Sequence, residues 1–395
     1  MILNLIFGLC LNLVLAILSF IIPKEKNRFL FGARRGKNFY GNPKFFFLYL
    51  RNNKHLTKCS WITSDKTLFL RLKEKIPVVY LYSWKGFSLI LRSEFLIFDT
   101  TPTGISYSYI LPGKFFKVQT WHGSAGIKNL DHALQFKHLN WFVVGKFLRY
   151  LLKVERKSDN LVLTCSEHWK KTYSQIFSNK NIQVLGVPRN DIFFDQSRRY
   201  EDYGKKINLK KYNKILLYCP TFREDRLFQK PFSKKFLVKL NDFLKKNNFV
   251  LLDKRHPNEK MNFNNFDFSN IINITKDIED IQELLVHVDV LITDYSSTFV
   301  DFLLTDRPII FYPYDFDEYC KTRELKIDYF NELYGPFAMT EDELLVCIED
   351  IDKITGTDEY KKKYQILKNK YHLYQDGKSS DRLYNYLCRG QTVKN

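Results

Sequence analysis

Three short polar clusters carry the residue types that phosphate chemistry and proton transfer need. Gln119-Thr120-Trp121-His122-Gly123-Ser124-Ala125-Gly126 follows an extended run and sets a histidine between an aromatic and a glycine-rich turn. Glycine lets backbone N–H groups approach an anion, and an imidazole titrating near neutrality can accept a proton there. The same histidine would serve equally as a structural turn residue. Lys254-Arg255-His256-Pro257 closes the hydrophobic run 249–253. Two cations and a histidine beside a rigid proline suit a diphosphate, although a solvated basic turn is spelled the same way. Thr293-Asp294-Tyr295-Ser296-Ser297-Thr298 takes the apolar run 290–292 into hydroxyls and then an amphipathic stretch. Hydroxyls and amides at a helix start cradle phosphate, and an ordinary serine N-cap has the same pattern.

Each cluster falls where a strand should end, and the surrounding pattern supplies the strands. Past Pro23, β-rich runs at 28–32, 59–63, 95–99, 117–121 and 161–165 alternate with helix-like stretches at 43–52 and 68–75. Ser166 is a good N-cap residue for the helix after the last of these, and Glu167 suits its first turn. The first domain is expected to end near 186–191, and a polar stretch, 195–211, precedes a second series. There the strands are 214–219, 249–254, 290–293 and 308–311, the helices 234–246, 278–286 and 297–304, and the tail 341–387 reads as helical. Such alternation predicts an α/β protein of two Rossmann-like domains, parallel sheets facing a cleft, with ligands at the carboxyl ends of the strands. The boundaries expected are 1–23 for an apolar segment, 24–200 for the first domain, and 201–395 for the second domain with its helical tail.

Composition narrows the function. With 395 residues, 45% hydrophobic and 16% aromatic, the chain folds and has room for two cores. Lys and Arg number 62 against 43 Asp and Glu, a formal charge of +19 that favours anionic partners. No arginine-rich arm, zinc-finger spacing or aromatic RNP pattern accompanies that charge, so nucleic acid is not expected. The seven cysteines are far apart, without a C-x-x-C pair, which suggests neither a disulfide framework nor a zinc site. Gly32-Ala33-Arg34-Arg35-Gly36-Lys37-Asn38 is one residue too short for a Walker loop and has Asn for Ser/Thr.

Residues 2–22 carry no charge, and Lys24, Lys26 and Arg28 follow them. A run of that length could just span a bilayer, with the remainder held on the cytoplasmic face by the positive-inside rule. A helix docked on the first domain is the alternative. Either way the expected location is the cell membrane, cytoplasmic face, with an anionic membrane surface as a partner.

Taken in order, several segments resemble the CDP-glycerol glycerophosphotransferase family of teichoic-acid and capsule polymerases and primases. They are Gly41-Asn42-Pro43-Lys44, Gln119-Thr120-Trp121-His122-Gly123, Gly186-Val187-Pro188-Arg189-Asn190-Asp191, Tyr218-Cys219-Pro220-Thr221-Phe222-Arg223, Lys254 with His256-Pro257, and Thr293-Asp294-Tyr295-Ser296-Ser297. Asp301, Asp306-Arg307-Pro308 and Tyr312 are also similar, and the likeness runs from about 23 to 336. Where many members read Thr-Pro-Leu-Lys after the His-Gly pair, this chain has Ser124-Ala125-Gly126-Ile127-Lys128, which bears on the acceptor side.

The resemblance implies a GT-B-like fold, a CDP-polyol donor held mainly by the second domain, and a lipid-linked polyanionic or glycan acceptor on the first. An acceptor hydroxyl would attack the donor β-phosphorus and release CMP. His122 is then the expected base, with His256 a second catalytic candidate. Lys254, Thr293, Asp294, Ser296, Ser297, Arg223, Arg189, Asn190 and Asp191 are expected on the donor and its phosphates, and Trp121, Gly123, Ser124 and Lys128 on the acceptor. No clustered metal ligands stand out, so no tightly bound cofactor is expected, while a loosely held divalent cation on the diphosphate is compatible with the chemistry. Two other readings stay open: a GT-B glycosyltransferase using a nucleotide sugar, and a non-enzymatic basic scaffold.

Overall fold

The computed structural model describes residues 2–123, 127, 154–195, 208–223, 231–255, 268–275, 278–322 and 324–389. Two compact units form, one from Met1–His122, Leu130–Asp191 and Asp376–Asn395, the other from Gly123–Asn129 and Ile192–Gln375.

The first unit is built on seven parallel strands: β1 Glu25–Phe31, β2 Lys58–Thr63, β3 Val78–Tyr80, β4 Ser93–Phe98, β5 Phe116–Gln119, β6 Leu161–Thr164 and β7 Ile182–Val184, in the order β3-β2-β1-β4-β5-β6-β7. Strands buried on both faces need apolar side chains along their buried stretch, and 29–31, 61–62, 95–98 and 161–163 have them. Phe29, Phe31, Trp61, Phe95 and Ile97 point to one face, and Leu30, Ile62, Leu96 and Phe98 to the other. Helix α2, Gly41–Asn53, covers the first face with Phe46, Phe47 and Leu50. The next helices are α3, Lys66–Leu72, which starts on Asp65 as its cap, and α4, Trp84–Arg92, which starts on Ser83. Ser166 does occupy the N-cap of helix Glu167–Phe177, but its hydroxyl makes no cap bond.

The second face is covered by α4, through Leu89, Ile90 and Leu91, and by the N-terminal helix α1, Ile2–Leu18. Among the described residues no helix is long and apolar enough to cross a membrane, so the spanning reading of residues 2–22 gives way to a docked helix. The reason lies in two polar side chains, Asn12 within the helix and Ser19 just after it. Buried Asn12 donates to Ile110 O at 2.6 Å and accepts from Tyr107 N at 3.2 Å, and Ser19 Oγ accepts from Lys114 N at 2.8 Å. Leu15 is fully buried beside them, worth about 1.5–3 kcal/mol. Two of the cations expected to face lipid are also engaged inside the unit. Lys24 donates from Nζ to Leu91 O at 2.7 Å, and Arg28 pairs with Glu25. Burial, then the Lys114 charge, pushes the Lys24 pKa down to about 8.

The tail expected with the second domain divides. Helix Ser379–Arg389 joins the first unit, where Leu383 completes the core face of α2 and the Asp191 carboxylate accepts from Ser379 N and Ser380 N, both at 2.8 Å. The second unit holds five parallel strands, β8 Lys214–Tyr218, β9 Phe249–Asp253, β10 Ile271–Asn273, β11 Val290–Thr293 and β12 Ile309–Phe311, ordered β10-β9-β8-β11-β12. Leu216, Tyr218, Val290 and Ile292 face Leu237, Leu240 and Leu244 of helix Lys234–Asn247.

Candidate active site

In the first sheet the strand order reverses between β1 and β4, the place where open α/β sheets take ligands. The carboxyl ends of β1, β4 and β5 lead into the turn 32–38, Asp99 and His122. His122 follows Trp121, whose φ of 55° lies in the left-handed region. A non-glycine residue stays there only when its surroundings hold it. Gln119 Oε1 accepts from Trp121 N at 3.0 Å, and Asn42 Nδ2, at the start of α2, donates to Thr120 O at 3.0 Å and Trp121 O at 2.9 Å. Asn42 Oδ1 also accepts from Arg189 N at 3.1 Å. Arg189 in turn donates from Nη1 to His122 O at 2.7 Å.

The imidazole leans on the Trp121 ring, centroids 3.9 Å apart, and its Nδ1 lies 3.4 Å from Asp99 O. A carbonyl can only accept, so this contact favours the tautomer with Nδ1 protonated and the lone pair on Nε2. The ring's surroundings, opposed by the Asp99 carbonyl and assisted by the charges of Arg189 and Arg34, hold its pKa below the ordinary imidazole value. Its outer edge is open to solvent, which moderates the shift and keeps its direction. His122 is thus a solvent-accessible imidazole whose neutral form is favoured. Asp99 is fully buried, accepts Arg34 N at 2.9 Å, and is pushed up to about 6 by burial.

In the second sheet the order reverses between β8 and β11, and there Asp294 ties the two strand ends together. Its Oδ1 accepts from Thr221 N and its Oδ2 from Arg223 Nη2, both at 2.7 Å. Arg223 also reaches Asp315 twice, at 2.7 and 2.9 Å, and Tyr295 Oη donates to Asp315 at 3.1 Å. Thr293 Oγ1 donates to Cys219 O at 2.7 Å. Ser296 and Ser297 are half-buried; the Ser296 hydroxyl meets Thr298 Oγ1 at 3.0 Å, and Ser297 heads helix Thr298–Phe302 without a side-chain cap bond. Lys254 leaves β9 with its backbone N–H on Tyr218 O and its Nζ 3.2 Å from Thr275 O.

Several of the expected site residues have partners within the protein. Arg223, expected over a nucleotide, is turned inward and organises Asp294 and Asp315, since a buried guanidinium needs its carboxylates. Arg255, one of the two cations of its cluster, is buried, pairs with Asp253 at 2.9 Å and lies over Tyr218. Arg189, Asn190 and Asp191 stand in the first unit, as their position before 200 led one to expect; there Arg189 donates to His122 O and Asp191 caps the last helix. Trp121 and Gly123 are buried at the turn. His256, Ser124 and Lys128 lie outside the described residues. Among the described residues no group of three His, Cys, Asp or Glu side chains gathers for a metal ion. Asn42, Asp99 and Asp315 had no assigned role. Asp99 could have been read from its strand-end position, whereas nothing local marks Asp315.

Residues 14–389 match the model of a family described as CDP-glycerol:poly(glycerophosphate) glycerophosphotransferase, beyond both ends of the stretch 23–336. The chain is 27% identical over 382 residues to a teichoic acid poly(glycerol phosphate) polymerase of Bacillus subtilis (strain 168), covering 94% of its own length and 50% of that protein. To the teichoic acid glycerol-phosphate transferase of Staphylococcus aureus it is 26% identical over 370 residues, 91% and 92% of the two chains. It therefore spans half of the first relative and nearly all of the second. The solved wall teichoic acid polymerase TagF has the same fold, with a TM-score of 0.77 at 21% identity over 96% of this chain and 92% of that one. A putative UDP-N-acetylglucosamine 2-epimerase from Listeria monocytogenes is a more distant fold neighbour, TM-score 0.54 at 13% identity, covering 93% and 98%.

Proposed function

The chain belongs to the CDP-glycerol:poly(glycerophosphate) glycerophosphotransferase family, and from that premise we propose that it transfers glycerol phosphate, or a related polyol phosphate, from a CDP-linked donor to a hydroxyl of a teichoic-acid-like or capsular polymer. The observation that carries the reading is His122, neutral and accessible at a strand end, with Arg189 bonded to its own carbonyl. The acceptor hydroxyl oxygen forms a bond to the donor β-phosphorus, its proton passes to His122 Nε2, and the bond to CMP breaks. Base assistance of this kind is worth ~10²–10⁴-fold. Alignment and charge supply the rest.

The donor phosphates are assigned to the second unit, on Lys254, Ser296 and Ser297, with Thr293 and Asp294 holding the strand ends that present them. The acceptor is assigned to the first unit around Trp121 and His122, with Gly123 next in the chain. We place the protein on the cytoplasmic face of the membrane through α1, whose Phe7, Leu13, Val14 and Ile17, with Phe20 and Ile21 beyond it, are exposed. An apolar helix face at a surface of positive charge suits the boundary of an anionic bilayer.

The deciding experiment is His122→Ala, assayed for folding, CDP-glycerol affinity and CMP release onto a lipid-linked acceptor. A folded, donor-binding variant with turnover down by two or more orders of magnitude is the expected result. Near-normal turnover would remove His122 from the mechanism, and parallel assays with CDP-ribitol identify the polyol.

A further inference from the structure

The turn 32–38 looked in sequence like a failed Walker loop, yet it stands at the switch point of the first sheet, directly after β1. It is tightly built. A Cβ on Gly32 would meet Gly104 O at 2.1 Å, and Gly36 O accepts from Thr63 Oγ1 at 2.6 Å and Ser64 N at 3.1 Å. Arg34 and Arg35 have φ of 43° and 58°, a left-handed backbone that side chains rarely adopt. Both residues are exposed, as is Lys37. The Arg34 guanidinium lies 5.1 Å from the Tyr40 ring and that of Arg35 5.6 Å from Tyr109. A strained backbone held from below therefore presents cations stacked on aromatic rings.

Asp99 connects this turn to the base. Its carboxylate accepts Arg34 N at 2.9 Å and its carbonyl lies 3.4 Å from His122 Nδ1. The Arg34 charge is felt at the imidazole, as is that of Arg189. On the other side, Tyr109 belongs to the loop whose Ile110 carbonyl holds Asn12 of α1. The basic turn thus stands between the helix expected at the membrane and the expected base.

Resting on the assignment of the acceptor to the first unit, we propose that Arg34, Arg35 and Lys37 bind the terminal phosphate of a polyol-phosphate acceptor, leaving the hydroxyl one polyol unit further on at His122. Guanidinium groups suit this ligand because their fork matches two phosphate oxygens. The site makes the enzyme selective for acceptors that already end in a polyol phosphate over phosphate-free glycan lipids.

The test compares the full chain with Arg34→Asn/Arg35→Asn, since Asn tolerates the left-handed backbone. Calorimetry with a soluble glycerol-phosphate trimer should show binding that the double variant weakens at least roughly tenfold. Uncharged triglycerol should bind neither protein, and the melting temperature should be unchanged. Phosphatidylglycerol vesicles carry the same phosphodiester chemistry as the acceptor, and the variant should retain its affinity for them. Equal trimer affinity of the two proteins, no trimer binding by the unaltered chain, or a loss confined to vesicles would each overturn the proposal. Failure of the unaltered chain to release CMP from any CDP-polyol would instead strike the transferase reading, and the trimer result would still decide the phosphate site.

Discussion

Arg189 donates from Nη1 to the carbonyl oxygen of His122 at 2.7 Å, so cation and imidazole are fixed to one another through a single backbone group. The sign of the electrostatic consequence follows directly. The surrounding protein and the charges of Arg189 and Arg34 disfavour the imidazolium, so His122 stays neutral down to a pH below its ordinary pKa. The ascending limb of turnover against pH should therefore lie on the acid side of the ordinary imidazole value. Arg189→Met removes one cation, lets the proton bind more readily, and should move that limb to higher pH. Rates of CMP release from acid to neutral pH check this, and a limb that stays in place would mean another group titrates.

Asn42 is a positioning residue, and the chemistry of its bonds gives a specific ordering of variants. Two backbone carbonyls need its amide as a donor, and the Arg189 N–H needs its oxygen. Asn42→Ala leaves buried groups without these bonds, at about 1–3 kcal/mol each. Asn42→Asp should be worse, because a buried carboxylate would face two carbonyl oxygens. Urea unfolding should rank native, Ala and Asp in that order, with CMP release falling further than donor affinity. A reversed order would mean the amide is not oriented as described.

Much of this architecture was legible because strands buried on both faces leave continuous apolar runs, as in 95–98 and 290–292. Polar residues abruptly following such runs marked the strand ends, as with His122 and Asp294, whereas Asp99 stands at such an end without having been singled out. What stayed hidden was long-range. Residue type does not tell whether a guanidinium faces solvent or a carboxylate distant in sequence, as Arg223 does with Asp315. Nor does an apolar run tell a spanning helix from a docked one, which here turns on Asn12 finding Ile110 and Tyr107. Strands as short as Val78–Tyr80 and Ile271–Asn273 fell below what alternation can show.

The two sides of α1 should separate in experiment. Ile17 and Phe20 are 66% and 71% exposed, so Ile17→Glu/Phe20→Glu should leave thermal stability close to native while abolishing cosedimentation with anionic vesicles. Asn12→Leu attacks the docked side, stranding Ile110 O and Tyr107 N, and should destabilise by about 1–3 kcal/mol. Retained vesicle binding by the Glu variant would place the membrane contact elsewhere.

Asp294 and the pair Ser296/Ser297 stand in one segment but should fail in different ways. Asp294 is buried and holds Thr221 N and Arg223, so Asp294→Ala breaks a buried ion pair and should cost about 3–5 kcal/mol of stability. The serines are half-buried and Ser297 makes no side-chain cap bond, so Ser296→Ala/Ser297→Ala should cost under about 1 kcal/mol of fold stability. Its effect should appear instead in CDP-glycerol binding, where losing hydrogen bonds to a charged phosphate weakens affinity by roughly tenfold or more. Calorimetry on the folded serine variant decides the donor assignment: unchanged affinity would move the diphosphate away from this strand end and leave Lys254 as its remaining described contact.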